Sequence, residues 1–597
     1  MSEPLYIIGI DLGTTNTVVA YTEAKIEKGK SQEIKIFEVP QITYSGTIEE
    51  KEVLPSFILV QGGHGIQTDA LKLPWKDESD IAVGEFAKER GAELPNHVIS
   101  SSKSWLCNQM VDRNKPILPW GSKDTGSKKS PVESSSSILE HIKEAWNYKI
   151  AKDDDNLKIE NQEIYLTVPA SFDAVARDLT IKASKMAGLS NVTLLEEPQA
   201  AFYSWIYNLK DKWRDKIKKG DIILVCDIGG GTTDFSLIKV SEEDGELLLE
   251  RVAVGNHLLV GGDNMDMALA YSVSSKLSEK KIKLDPSQMR ALWHSCRNAK
   301  EKVLAGNDSK EHQVAILGRG SKLIGGTIKA TLSKSLVEKV IIEGFFPKCE
   351  KSAVPSSGNK LGLKEFGLQY ESDPSVTKHL AKFLSSKGDF EAPTAILYNG
   401  GVMKSQAIRE RIKDIIASWR GDDKMRMLES SDLDLAVALG AAYYGLARRG
   451  QGVRIRGGLN KSYYIGVAAS LPAVPGMPIP LKAICVGTFG MEEGTQESLK
   501  NQEFTLIVGE PVKFDFLGSS VRFNDNVGSV IEDWETDIEK ITTIEVTLEG
   551  EYGTFVPVTI EVKVTEIGTL ELFCVSREND KRWKLEFNVR EKESIES

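Results

Sequence analysis

The chain has 597 residues and a net charge of −11, with 41% hydrophobic and 27% charged residues. That is an ordinary globular balance with apolar material for several cores, roughly four units at ~150 residues each. Its acidity excludes a general basic field for nucleic acid or anionic lipid.

At the N-terminus, MSEPLYIIGIDLG has no basic region ahead of the short apolar run Leu5–Ile10, so no signal peptide is expected. The longest weakly polar stretch, Ala436–Ala447, is far short of the ~20 residues a spanning helix needs. Cys107, Cys226, Cys296, Cys349, Cys485 and Cys574 form neither a CxxC pair nor a zinc spacing, and Cys226 reads as a buried free thiol. These features predict a cytoplasmic protein in a reducing compartment, with no membrane or nucleic-acid partner.

In chain order, LYIIGI reads as a buried strand and stops at Asp11-Leu12-Gly13-Thr14-Thr15-Asn16-Thr17, with a second strand, VVAY, directly after. This predicts a hairpin with a Gly/Thr-rich tip. Ile164–Val168 reads as a strand ending at Pro169. A helix follows, with Val175, Leu179, Ala183 and Met186 at helical spacing, Asp173 as its N-cap and Gly188 as its stop. Residues 192–196 give another strand and 200–209 another helix. The first pattern then returns: Ile222–Cys226 is apolar, Asp227-Ile228-Gly229-Gly230-Gly231-Thr232-Thr233-Asp234 follows, and FSLIKV alternates as a strand. Strands alternating with helices predict α/β structure, and the repeated hairpin predicts a duplicated, two-lobed domain.

Residues 107–130 read as an exposed loop and 265–305 as amphipathic helices. Ala436–Ala447 is helical and rich in small residues. Near residue 450 the character changes: 448–458 is basic and glycine-rich, like a linker. Beyond it, short alternating runs separated by Gly, Asn, Asp and Glu predict an all-β sandwich.

The hairpin tips suggest phosphate binding. Holding a phosphate chain with its metal needs closely approaching backbone N–H groups, hydroxyls and carboxylates. Gly13 and Gly229–Gly231 permit the approach. Thr14, Thr15 and Thr232 supply hydroxyls, and Asp11, Asp227 and Asp234 add the carboxylates. One such tip reads equally well as a plain hairpin turn; two in one chain favour a clamp that holds phosphates from both sides.

The strings GIDLGTTNT (9–17), VPASFDAVAR (168–177), LLEEPQAAFY (194–203), CDIGGGTTDFS (226–236), GGDNMD (261–266), ILYNGGVMKSQAI (396–408) and DLAVALGAAYYG (434–445) occur in the order seen in the seventy-kilodalton heat-shock (DnaK-like) chaperones, which the chain resembles from residue 1 to about 450. The resemblance implies an actin-like, duplicated ribonuclease-H-like ATPase domain over 1–450, a linker over 451–460, and a diverged β-rich substrate-binding domain over 461–597. It implies ATP or ADP with Mg2+ as ligands. Gly13, Thr14 and Thr15 would fall in the first phosphate loop, and Gly229, Gly230, Gly231, Thr232 and Asp234 in the second. Asp11, Asp227 and Glu197 would lie at the metal. Lys103, in SSKSWL, would orient the attacking water with Glu197, while Asp227 and Thr232 would complete the catalytic set. Lys300, Gly400, Gly401, Lys404 and Asp434 would face the nucleotide from the adenosine side. Pro169 and Arg177 match residues tied to interdomain signalling.

The residues also have plainer readings. Lys103 reads as a surface lysine capping a helix, Glu197 as an acid serving a helix N-terminus, Lys300 and Lys404 as solvated charges, Asp263 and Asp266 as caps, and Trp105, Trp120, Trp205 and Trp293 as packing. The chain departs from the family at Asn399–Lys404, at Gln199, around Arg297 and Glu301, and at its RIRGG boundary, where the family has an acidic, leucine-rich linker. It ends soon after its last strand, without a long helical lid. The expected function is an ATP-hydrolysing chaperone whose clients are unfolded or partly folded polypeptides and whose partners are a J-domain co-chaperone and a nucleotide exchange factor. A small-molecule kinase of the same superfamily and a nucleotide-gated scaffold are the competing readings.

Overall fold

A computed structural model describes residues 3–588, apart from 26–31, 61–67, 92, 95, 109, 123–127, 244–245, 305–310, 318–326, 357–367, 369, 386–391, 431, 451–454, 457, 460, 469–479, 493, 500–501, 503, 510, 548–552, 566–569 and 579–580.

The two apolar runs become central strands of two mixed sheets with the same layout. In the first, the order is Val192–Glu196, Glu163–Val168, Tyr6–Leu12, Asn16–Glu23, Lys35–Ile36. In the second it is Arg426–Leu428, Ala395–Asn399, Ile222–Ile228, Thr233–Glu243, Glu246–Val254, Ile455–Arg456. Each central strand pairs antiparallel with its hairpin partner and parallel with a strand from far along the chain: Ile7 sits opposite Glu163, and Ile223 opposite Ala395. Ile7, Ile8, Ile10 and Ile223–Cys226 are wholly buried, the continuous apolar run expected of a strand covered on both faces.

The small-residue helix Ala436–Arg448 and the helix Glu197–Leu209 join the sheets. One apolar cluster holds Ile7, Val18 and Tyr165 from the first sheet, Ile223, Val225 and Leu397 from the second, and Ala200, Ala201, Ala438, Ala441 and Ala442 from the helices. The two helices touch backbone to backbone at Gly440, where a Cβ would fall 1.7 Å from the Ala200 carbonyl oxygen.

Helix Ala174–Met186 starts where expected: Asp173 accepts a hydrogen bond from the Ala176 N–H at 2.9 Å, and Gly188 turns the chain with φ 84°. Val175, Leu179 and Ala183 are buried, whereas Met186, in the last turn, is 52% exposed. Helices Gly262–Glu279 and Pro286–Leu304 fill the 265–305 expectation. The 107–130 segment corrects its reading as an exposed loop. Val111, Asp112, Arg113 and Leu118 are buried, since the loop folds back and Arg113 donates to the Leu106 carbonyl at 3.4 Å. Trp105 and Trp205 are buried; Trp120 is 41% exposed but lies against Trp105 at 4.9 Å. Cys226 is a fully buried free thiol. Among the described residues, no helix is long and apolar enough to cross a membrane.

Beyond residue 460 every described element is a strand. Nine strands follow one hydrogen-bonded path, and a tenth, Phe504–Ile507, pairs with Phe555–Val564 beside it, rather than forming two separate sheets. The path folds back on itself, so Ile465, Val486 and Phe516 from one half share a core with Val558, Ile560 and Leu572 from the other. Leu459 and Tyr463 extend this cluster onto Leu106, Val132, Val175, Leu179 and Ala183, so the apolar face of helix Ala174–Met186 packs against the C-terminal sheet. The expected linker is not wholly loop. Ile455–Arg456 adds a parallel strand to Glu246–Val254, and the Tyr203 hydroxyl accepts from the Ile455 N–H at 2.8 Å; residues 451–454, 457 and 460 lie outside the described set.

The contact at Gly440 fixes the sign of one substitution. In an open helix, Gly→Ala stabilises by about 1 kcal/mol; here the added methyl has no room, so Gly440→Ala should destabilise by about 1–3 kcal/mol. Urea denaturation of the two proteins reads the difference, and a more stable variant would mean the helices do not pack this closely.

Candidate functional site

The two hairpin tips meet. A Cβ on Gly230 would fall 1.9 Å from Thr15 Oγ1, and one on Gly231 would fall 2.7 Å from both Thr14 Cγ2 and Ser104 Oγ. The second tip is braced from behind by the start of helix Gly262–Glu279. Gly262 N–H donates to the Gly229 carbonyl at 3.0 Å and Asp263 N–H to the Gly230 carbonyl at 2.7 Å. Thr233 Oγ1 adds a bond to the Val260 carbonyl at 2.7 Å.

Below the tips lies a cluster of charges. Asp11 and Asp227 end their central strands, and Thr167 Oγ1 donates to Asp11 at 3.0 Å. Lys103 sits in the single-turn helix Ser102–Trp105, entered through a left-handed Ser101 (φ 57°). Its ammonium is bonded to Glu197, the first residue of helix Glu197–Leu209, and both side chains are buried or nearly so. The surface-lysine reading of Lys103 is therefore corrected: the turn at Ser101 points the side chain inward. Glu197 does stand at a helix start, as its plain reading held, and pairs with Lys103 as well. Burial pushes the Glu197 carboxyl up to about 7 against the pull of Lys103, with Asp11 adding to the rise. Burial likewise raises Asp11, and raises Asp227 well above the carboxylate range with Glu197 next in weight. Burial works against the Lys103 charge, yet Glu197, Asp11 and Asp227 hold the ammonium above its ordinary value.

The opposite wall carries a second network. Arg297 donates to Asp263 at 2.6 Å and to Asp266 at 3.0 Å, and Lys300 lies 2.8 Å from Asp266 and 3.3 Å from the Gly262 carbonyl. Asp263 and Asp266 thus serve as buried counter-ions rather than caps. Lys300 is buried rather than solvated, held between helix Gly262–Glu279 and its own. Lys404 stays half exposed and pairs with Asp434. Asn399 donates to Asp227 at 2.7 Å.

These groups line one pocket of about 380 Å3. It takes in Asp11, Gly13, Thr14, Thr15, Lys103, Glu197, Asp227, Gly229, Gly230, Thr232, Lys300, Gly400, Gly401, Lys404 and Asp434. Gly231 and Asp234 fall outside the lining. Gly231 packs on Thr14 and Ser104, and the Asp234 carboxylate turns away to the Ser171 hydroxyl. Sequence reasoning missed Asn399 and Ser405 as pocket residues; Asn399 Oδ1 and Ser405 Oγ are buried on the wall without a hydrogen-bond partner. It also missed the Arg297 network, whose signal was present: two acids three apart on one helix and two bases three apart on the next.

Arg177 and the neighbour of Glu197 form a further buried group. Glu196 accepts from Arg177 at 2.7 Å and also from Arg251, and Arg251 donates to the Gly458 carbonyl at 2.5 Å.

Loss of the ammonium would leave three carboxylates facing one another. Lys103→Met should cost about 3–5 kcal/mol of stability, the scale for breaking a buried pair. The loss should be pH-dependent. A carboxyl raised in the folded state above its unfolded value binds more protons folded than unfolded, so stability falls as pH rises through that window. Without Lys103 the window for Glu197 extends above about 7, so the variant's deficit against the wild type should be larger at pH 8 than at pH 6, by about 1–2 kcal/mol. Urea titrations at the two pH values measure it; equal deficits would contradict the charge cluster.

The family model described as Hsp70 protein matches residues 52–352, just over half of the 597-residue chain. The matched span contains Lys103, Glu197, the second hairpin and the Arg297 network. Members of that family bind nucleotide, hydrolyse ATP and act as chaperones on polypeptides. The α/β sheets and opposed hairpins are those of an actin-like ATPase fold, and the chain belongs to the Hsp70 protein family.

Proposed function

We propose that the chain is a cytoplasmic ATPase chaperone, with a two-lobed nucleotide-binding domain at 1–450, a linker at 451–460 and a polypeptide-binding β-domain at 461–597. The observation that carries this reading is the pair of touching hairpin tips above the buried Lys103–Glu197 pair. The tips place the backbone and hydroxyls of Gly13, Thr14, Thr15, Gly229, Gly230 and Thr232 around one space, suited to a triphosphate. The adenosine end would lie towards Lys300, Gly400, Gly401, Lys404 and Asp434. Lys103 and Glu197 would orient the attacking water, since phosphoryl transfer depends on positioning and charge neutralisation.

The carboxylates fit a hydrated Mg2+. Asp11, Asp227 and Glu197 crowd one wall: burial raises all three, Asp11 raises Glu197 further, and Glu197 and Asp11 raise Asp227, a repulsion that a cation relieves. Among the described residues no three His, Cys, Asp or Glu side chains form a direct metal cage. Bound to the phosphates, Mg2+ would neutralise charge there.

Two features support coupling to the β-domain despite the RIRGG boundary: the strand Ile455–Arg456 on the second sheet, and the core shared between the C-terminal sheet and helix Ala174–Met186. Nucleotide state would then govern polypeptide binding, with a J-domain co-chaperone and an exchange factor as partners.

The test is Mg2+-dependent phosphate release from ATP. Lys103→Ala and Thr232→Ala should each lower turnover by about 10²-fold, the scale for removing one preorganised polar group, and an unfolded polypeptide should change the wild-type rate. A wild type that binds ATP but releases no phosphate would sink this reading in favour of a kinase or scaffold. Turnover that ignores polypeptide would sink the coupling alone.

A further inference from the structure

A second cavity, of about 620 Å3, lies away from the nucleotide pocket, bordered by Ser520 and Val521, just past the strand Pro511–Ser519. Its lining also includes a row of groups that the ATPase reading does not use: Cys107, His257 and Ser171. Ser171 gives its one proton to Asp234, and its oxygen lies 2.7 Å from His257 Nδ1. A hydroxyl has a single donor, so the His257 Nδ1 must carry the hydrogen in this contact, and Nε2 is the nitrogen left to exchange a proton with a neighbour. Nε2 is buried and makes no hydrogen bond of ordinary geometry. Cys107 lines the same cavity as the ring; burial works against the imidazolium, yet Cys107 and then Asp234 hold His257 well above its ordinary value. The Phe172 ring, 5.5 Å away edge to face, holds the imidazole from the side. An acid orients a hydroxyl, the hydroxyl fixes an imidazole tautomer, and the imidazole faces a thiol: nucleophile, base and orienting group in one row.

The other cysteines lack this setting. Cys226, Cys296, Cys485 and Cys574 are buried, and burial raises the thiol of each. Cys349 is partly exposed like Cys107, but burial raises its thiol too.

We infer that Cys107 is a base-activated thiol that hydroperoxides modify, with His257 as its base and Ser171 and Asp234 as the groups that position the ring. His257 Nε2 takes the thiol proton. The thiolate attacks one peroxide oxygen and the O–O bond breaks. The departing oxygen recovers the proton from the imidazolium and leaves as water, or as an alcohol from an organic hydroperoxide. Sulfur is oxidised to the sulfenic acid and the peroxide is reduced. The inference does not depend on ATP hydrolysis.

The experiment treats the full chain with limiting hydrogen peroxide, traps sulfenic acid with a cyclic 1,3-dione and quantifies each cysteine by mass spectrometry. Cys107 should be trapped at least about tenfold faster than Cys349, and His257→Gln should slow Cys107 about tenfold while leaving Cys349 unchanged. Ser171→Ala, which frees the ring but keeps its nitrogen, should slow Cys107 as well, and it decides the matter if His257→Gln does not fold, as judged by thermal melting. Trapping of Cys107 no faster than Cys349, or unchanged in a folded variant, overturns the inference.

Discussion

The structure is organised around a buried charge imbalance. Asp11, Asp227 and Glu197 converge on a single ammonium, Lys103, and burying unpaired charge is expensive. The surrounding elements all serve to make that arrangement tolerable. Two central strands deliver the aspartates to the same depth, a helix N-terminus receives the glutamate where its dipole favours negative charge, and a single tight turn at Ser101 brings in the lysine. Thr167 and Asn399 then bond to the two aspartates.

Holding two sheets at this spacing requires the elements between them to be thin. The helices that join the sheets meet through Gly440 and the backbone at Ala200, and alanines fill much of their shared core. A bulkier seam would move the hairpin tips apart, and Gly230 could no longer sit against Thr15. Small residues about 430 positions along the chain therefore set the opening of a site formed at residues 11–15.

What the sequence revealed was local. Apolar runs ending in Gly/Thr tips marked both hairpins, and the spacing of Val175, Leu179 and Ala183 marked a helix with its cap at Asp173. Fifteen of the seventeen residues singled out for the site line one pocket, because short motifs bring their backbone geometry with them. What it hid depended on distant partners. Nothing near Asp234 announces that it turns to Ser171, and nothing in 107–130 announces that a polar loop buries Arg113. The basic, glycine-rich boundary concealed a strand, since two residues on an existing sheet edge need only backbone hydrogen bonds. The Arg297 network required pairing two helices that the sequence presents as separate amphipathic pieces.

Glu196 and Glu197 are adjacent in sequence yet belong to different neighbourhoods. Glu197 faces Lys103; Glu196 faces Arg177 and Arg251, and Arg251 grips the carbonyl of Gly458. A single rigid peptide plane therefore separates the Lys103 end of the pocket from the segment leading into the C-terminal sheet. It is a see-saw with a very short beam: a backbone tilt at one residue turns the plane both share, and no long chain of contacts lies between them.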